Sequence, residues 1–141
     1  MEETASVSSS LAHWRDGRIK QAIVVRTLAL RRALPELFAS GSYEPVEVEG
    51  PRAEHVVAFV RRQGRDRLLT VVPRLPTRLL TGRGQLGLDA AAWKGTILRV
   101  PSDGTLFDVL GDGASQVTAD EVAVHWLCGR VPVALFSTWQ P

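Results

Sequence analysis

The side chains best able to do chemistry in this sequence are three histidines, one cysteine, four tryptophans and a group of acids in its last third. A metal site needs His, Cys, Asp or Glu ligands at short helical or hairpin spacing. His13, His55 and His125 are isolated from one another, and His125 with Cys128 gives two ligands where a tetrahedral site needs more. No metal is expected, and no cofactor. Cys128 reads as a small core residue, since free cysteine is usually buried and a lone one cannot form a disulfide within the chain. A nucleophile needs a base and an orienting group, and no Gly-x-Ser-x-Gly elbow or family-type Cys and His pattern is present. Gly82, Gly84 and Gly87 have the spacing of a dinucleotide fingerprint, but they follow Pro and Arg residues instead of a buried strand, so that reading fails on context. Glycoside chemistry would need two carboxylates facing each other across a cleft. The dense acids are Asp103, Asp108, Asp112, Asp120 and Glu121. Asp103 and Asp112 stand beside glycine, where Asp typically makes local turn hydrogen bonds. Trp14, Trp93, Trp126 and Trp139 could stack on sugar rings, but they are scattered, and large aromatics are more often core or interface. The catalytic set is therefore expected to be empty.

The elements that would position these residues belong to one domain, since 141 residues suit a single core. Hydrophobic residues make up 45% and charged residues 23%, the balance of a chain that folds. No apolar run approaches the roughly 20 residues that cross a bilayer, so no membrane span is expected. Glu2 and Glu3 stand where a secretion signal needs basic residues, and a cytoplasmic location is expected. The basic blocks, residues 15–32 and 61–83, lack interleaved aromatics or a binding motif, so nucleic acid is not an expected partner.

Residues 1–10 are Ser-rich and aperiodic and read as a disordered tail. Asp16 can cap a helix in which Ile19, Ile23, Leu30 and Leu34 form one apolar stripe, and Pro35 ends it. Pro35 can start a second short helical turn, for which Gly41 is a left-handed stop. Residues 11–41 are thus a helical lead-in. Beyond it, Val46 and Val48 alternate with Glu47 and Glu49 as an edge strand, and residues 55–62 and 67–73 form a hairpin. Residues 96–100 and 106–110 look like a second hairpin about Asp103 and Gly104, with another turn at Asp112 and Gly113. Residues 77–87 read as a loop, residues 117–124 as ambiguous, and residues 132–138 as a strand buried on both faces. The fold class expected is mainly β, an antiparallel sandwich of six to eight strands over residues 42–141, preceded by an amphipathic α-helix.

An ordered series of segments resembles the C-terminal region of malto-oligosyltrehalose synthase, a member of the α-amylase superfamily. It runs from Trp14-Arg15-Asp16-Gly17-Arg18-Ile19 through Pro35-Glu36-Leu37-Phe38 and Gly41-Ser42-Tyr43-Glu44-Pro45-Val46. Ala53-Glu54-His55-Val56, Val71-Val72-Pro73-Arg74-Leu75, Phe107-Asp108-Val109-Leu110 and Pro132-Val133-Ala134-Leu135 follow in order. The resemblance covers nearly everything from about residue 11 onward, while residues 1–10 do not share it. It implies a retaining intramolecular transglucosylation that gives malto-oligosaccharide a trehalose end, an isomerase activity in trehalose biosynthesis. It also implies that the catalytic carboxylates sit on a (β/α)₈ barrel outside the matched region, with residues 16–34 as the last barrel helix and residues 43–141 as the sandwich that packs on the barrel.

Two functions follow. One is a non-catalytic accessory domain whose partner is the catalytic barrel, in cis or in trans. The alternative is a stand-alone module that binds α-glucan or another protein. A flat apolar face with the helix lying over it would favour the first, and an exposed row of aromatics the second. Malto-oligosaccharide is expected to bind weakly if at all, because no aromatic pair sits at strand spacing on one face. Burying Ile19, Ile23, Leu30 and Leu34 would contribute about 6 to 10 kcal/mol. The stripe is therefore expected either to fold back on the sandwich or, the favoured outcome, to pair with its copy in a homodimer.

Overall fold

The computed structural model describes residues 7–80, 86, 88–101, 103–111 and 115–140. The glycines at 82, 84 and 87 and the expected turn at Asp112 and Gly113 lie outside the described residues. Among the described residues nine strands occur: β1 (Glu44–Pro45), β2 (Glu47–Glu49), β3 (Val56–Gln63), β4 (Asp66–Pro73), β5 (Ile97–Arg99), β6 (Leu106–Asp108), β7 (Gln116–Val117), β8 (Glu121–Ala123) and β9 (Ala134–Ser137). They accompany α1 (Val7–Ser10), α2 (Arg18–Ala33), α3 (Pro35–Ser40), α4 (Ala90–Trp93) and α5 (Val124–Cys128). The strands form two antiparallel sheets, one of six in the order β1-β3-β4-β9-β6-β7 and one of three in the order β2-β5-β8. The fold is the mainly-β sandwich with a long lead-in helix that the sequence pattern predicts.

Strand alternation decides how the layers stack, because successive side chains point to opposite faces. On β4, Leu69 and Val71 join Val56, Ala58 and Val60 of β3 in a core shared with Leu98 and Val122 of the small sheet. Leu68, just before Leu69 on the same strand, faces the other way, into a second core with Leu135 of β9 and with Ile19, Ala22 and Leu30 of α2. The six-stranded sheet is thus the middle layer, with the small sheet on one face and the helix on the other. The apolar run of β9 is buried on both faces, Ala134 and Phe136 on one side and Leu135 on the other.

The helix begins where Gly17, at φ +88°, turns the chain out of a 3-10 segment, and Asp16 Oδ1 accepts the Arg18 N–H at 3.0 Å. Pro35 supplies the first residue of α3, as expected. Gly41 is not the left-handed stop. Its φ of −62° is extended, and it is glycine because a Cβ there would run into the Leu37 carbonyl. Val7 to Ser10, read as part of a disordered tail, form a helical turn, because Val7 finds a place in the core between helix and sheet.

The expected edge strand at Val46 to Glu49 is β2, paired with β5, and Glu44 and Pro45 just before it form a separate short strand paired with β3. The first hairpin is as expected, with β3 and β4 paired from Val56–Pro73 to Gln63–Asp66. The second is not a hairpin. β5 pairs with β2 and β8, while β6 pairs with β7 and β9, and the turn between them crosses from one sheet to the other.

Candidate functional site

Ile19 and Leu30 of the predicted stripe are buried, and Ile23 and Leu34 are half-buried against the same cluster. Ile19, Ile23 and Leu30 lie on the side of α2 covered by the chain's own sheet, and Leu34, just past its end, packs against the same cluster. Pairing with a second copy through these residues would require stripping them from that sheet. The opposite side of α2 presents Val24, Val25 and Leu28, each about half exposed. Elsewhere on the surface Tyr43 stacks on Phe59, with ring centroids 4.5 Å apart.

The structure separates the candidate metal ligands. His125 is exposed, Cys128 is buried on the inner side of α5, and burial pushes its thiol up to about 12. His55 is buried, with Nδ1 3.2 Å from the Arg74 carbonyl oxygen. Among the described residues no group of three His, Cys, Asp or Glu side chains converges.

The acids divide by role. Glu121 and Glu49 flank Arg99 across the small sheet. The Arg99 hydrogen bond holds the Glu49 carboxyl below its usual range. Asp103, beside Gly104 in its turn, is ion-paired with Arg62 and Arg67. Partial burial opposes its ionisation, and the hydrogen bond from Arg62 and the charge of Arg67 outweigh that, so its carboxyl titrates below the ordinary value. Asp108 is half-buried, and its Oδ1 accepts the Leu110 N–H at 2.9 Å.

Asp108 opens onto a cleft of about 360 Å³ between α5, β9, the turn after β6 and the N-terminal helical turn. Its wall is set by α5. Val124, Leu127 and Cys128, at helical spacings of three and four, face the core, which leaves His125 and Trp126 outside. Trp126 is 49% exposed, and its indole lies over Phe136 with centroids 5.9 Å apart and planes inclined by 32°. Arg130 lines the same space and has no partner among the described residues. From the other layer, Arg26 of α2 donates to the Gly111 carbonyl at 2.9 Å and fixes the turn at the cleft's rim. Among the described lining residues Asp108 is the single carboxylate, one short of the pair that glycoside chemistry requires.

Trp126 is the residue that sequence reasoning undervalued. Its signal lay in its neighbours, whose helical spacing around a half-polar pair implies one residue turned outward. The other tryptophans are structural or peripheral: Trp93 is fully buried, Trp139 packs against the helix-side core, and Trp14 lies under the Arg15 guanidinium at 4.6 Å.

Fold and surface together define a small layered β domain with a covering helix. No family model matches the sequence. Two Mycobacterium tuberculosis proteins, from strains CDC 1551 / Oshkosh and ATCC 25618 / H37Rv, each described as "Putative maltooligosyl trehalose synthase", are 38% identical to it over 91 residues, 64% of this chain. The structure of a mutant maltooligosyltrehalose synthase from Arthrobacter ramosus superposes on 92% of the chain with a TM-score of 0.63 and 32% identity. The chain therefore corresponds to the C-terminal region of the maltooligosyl trehalose synthase family. It spans 10% of the length of the mycobacterial relatives and 16% of the solved chain. Among the described residues no helix is long and apolar enough to cross a membrane.

Proposed function

We propose that this chain is a non-catalytic accessory domain that packs against the catalytic part of a maltooligosyl trehalose synthase, supplied in cis or in trans. The observation that carries the reading is the two-sided helix α2. Its inner side is seated on the six-stranded sheet, while Val24, Val25 and Leu28 remain on its outer side. Three half-exposed apolar side chains on one helix make a small patch suited to a protein neighbour. The relatives are some ten times longer than the region matched, so a large neighbour exists in them. The helix lying over an apolar face also meets the condition set for this reading from the sequence. The described cleft offers one carboxylate, and that supports an accessory role.

The test mixes this chain with a maltooligosyl trehalose synthase truncated to remove its corresponding C-terminal region. Co-sedimentation and recovery of trehalose-end formation are expected, and Val24→Asp with Leu28→Asp should abolish both. Independent sedimentation of the two would overturn the reading, as would loss of reducing ends from maltopentaose by the chain alone. A concentration-dependent dimer of the chain by itself, broken by the same pair of substitutions, would assign the outer face to a second copy instead.

A further inference from the structure

The cleft beside Trp126 is lined by none of the outer residues Val24, Val25 and Leu28 of α2, and its chemistry is of a different kind. We infer that it is a binding site for a pyranose ring, with Trp126 as the stacking platform and Asp108, His125 and Arg130 as the polar rim.

Three features select this ligand. First, the Trp126 indole, tilted against Phe136 and half exposed beside the cleft, is a flat, rigid apolar surface, costly to leave wet. The electron-rich ring face attracts the weakly positive hydrogens of C–H bonds, which a pyranose presents on one side of its ring. Second, the flanking groups suit vicinal hydroxyls. The Arg130 guanidinium offers parallel donors, and Asp108 has Oδ2 beyond the Leu110 hydrogen bond, which Oδ1 alone accepts. Gly111 leaves room for that oxygen, since a Cβ there would collide with it. Third, among the described lining residues one carboxylate, Asp108, stands with one guanidinium, Arg130, and His125. A phosphate would be repelled by Asp108, a purely apolar ligand would strand three polar side chains, and a metal would find too few ligands.

The rim is held in place by the fold. Arg26 ties the Gly111 carbonyl to α2, and the Asp108 N–H is bonded to the Ser115 carbonyl at 2.9 Å. A single platform with an open rim gives affinity in the millimolar range, the class in which orientation and desolvation consume most of the contact energy. That agrees with the weak glucan binding expected from the sequence.

The test is a titration of the ¹⁵N-labelled full chain with maltotriose, following the four tryptophan indole resonances. The Trp126 indole and the amides of His125 and Arg130 should shift together and saturate at millimolar sugar. Trp126→Ala should abolish the response. Arg130→Ala, on an exposed side chain whose loss leaves the fold intact, should weaken it severalfold. Sorbitol, an open-chain polyol without the ring face, should leave the resonances in place. No saturation by tens of millimolar, equal binding in the Arg130→Ala chain, or shifts at the other tryptophans would each overturn the site. Saturation by inorganic phosphate in place of sugar would overturn the ligand class. The Arg130→Ala chain should still associate with the truncated synthase, so failure here and failure of the accessory reading are read separately.

Discussion

Asp103, in the turn after β5, is ion-paired with Arg67, which stands on β4 and is 6% exposed. The pair closes the route by which the chain leaves the small sheet and enters the large one. Arg62 of β3 joins from the other side, so one exposed carboxylate holds two arginines of the β3–β4 hairpin. A hairpin turn at this point would have kept the chain within one sheet. The two guanidiniums instead draw Asp103 across, and β6 is delivered to β9.

Neutralising Asp103 should therefore cost more than an exposed ion pair, since it leaves Arg67 buried with its charge uncompensated. Loss of about 2 to 4 kcal/mol is expected for Asp103→Ala, against about 0 to 1 for a surface pair. Denaturant unfolding of the variant and parent checks this. A loss no greater than that of a surface pair would mean that the Arg67 charge is compensated from elsewhere.

The same pair sets an acid limit. The folded carboxyl of Asp103 titrates below its ordinary value of 3.8, so it binds a proton less readily in the folded state than in the unfolded one. The stabilisation is present above that value and is lost as the pH falls through the lower folded one. Thermal unfolding followed from neutral pH to below pH 3.8 should show a steeper decline in the parent than in Asp103→Asn, whose curve should run flatter over that interval.

Gly104 is fixed by the neighbour of this pair. Its φ is +129°, and a Cβ would come within 2.8 Å of Arg67 Nη2. Gly104→Ala thus combines backbone strain with displacement of a buried guanidinium, and a loss of about 1 to 3 kcal/mol is expected, read as a lowered denaturation midpoint.

How far the sequence foretold this fold depended on where the information was local. The α2 helix, the Pro35 break and the β3–β4 hairpin rest on local periodicity and turn chemistry, and they are in place. The pairing of β5 and β6 was misread because strand alternation says that a segment is extended, not which sheet accepts it. That choice rests on Asp103 meeting arginines more than thirty positions earlier. Likewise β1 went unread, since its pairing with β3, continued by the Val46 N–H to the Ala58 carbonyl, is invisible in the local pattern. The Trp126 cleft was hidden for the same reason. Its walls come from α1, β6, α5 and β9, which no spacing in the sequence connects.

The two sides of α2 make opposite predictions for substitutions only two positions apart. Leu30 has no exposed surface and sits between helix and sheet, whereas Leu28 is 52% exposed on the outer side. Leu30→Ala removes buried methyl groups from a layer that cannot close over the gap, and a loss of about 2 to 5 kcal/mol is expected. Leu28→Ala removes surface already in water, so a change within about 0.5 kcal/mol is expected. Ile23→Asp, half-buried at the boundary with Thr27 bonded behind it to the Ile23 carbonyl, should be destabilising as well, because it would place a carboxylate against the helix-side core without a partner. Urea denaturation of the three variants gives the order directly. If Leu28→Ala proved as costly as Leu30→Ala, the outer side of α2 would be covered in the isolated chain, and sedimentation at high protein concentration would then be expected to show more than a monomer.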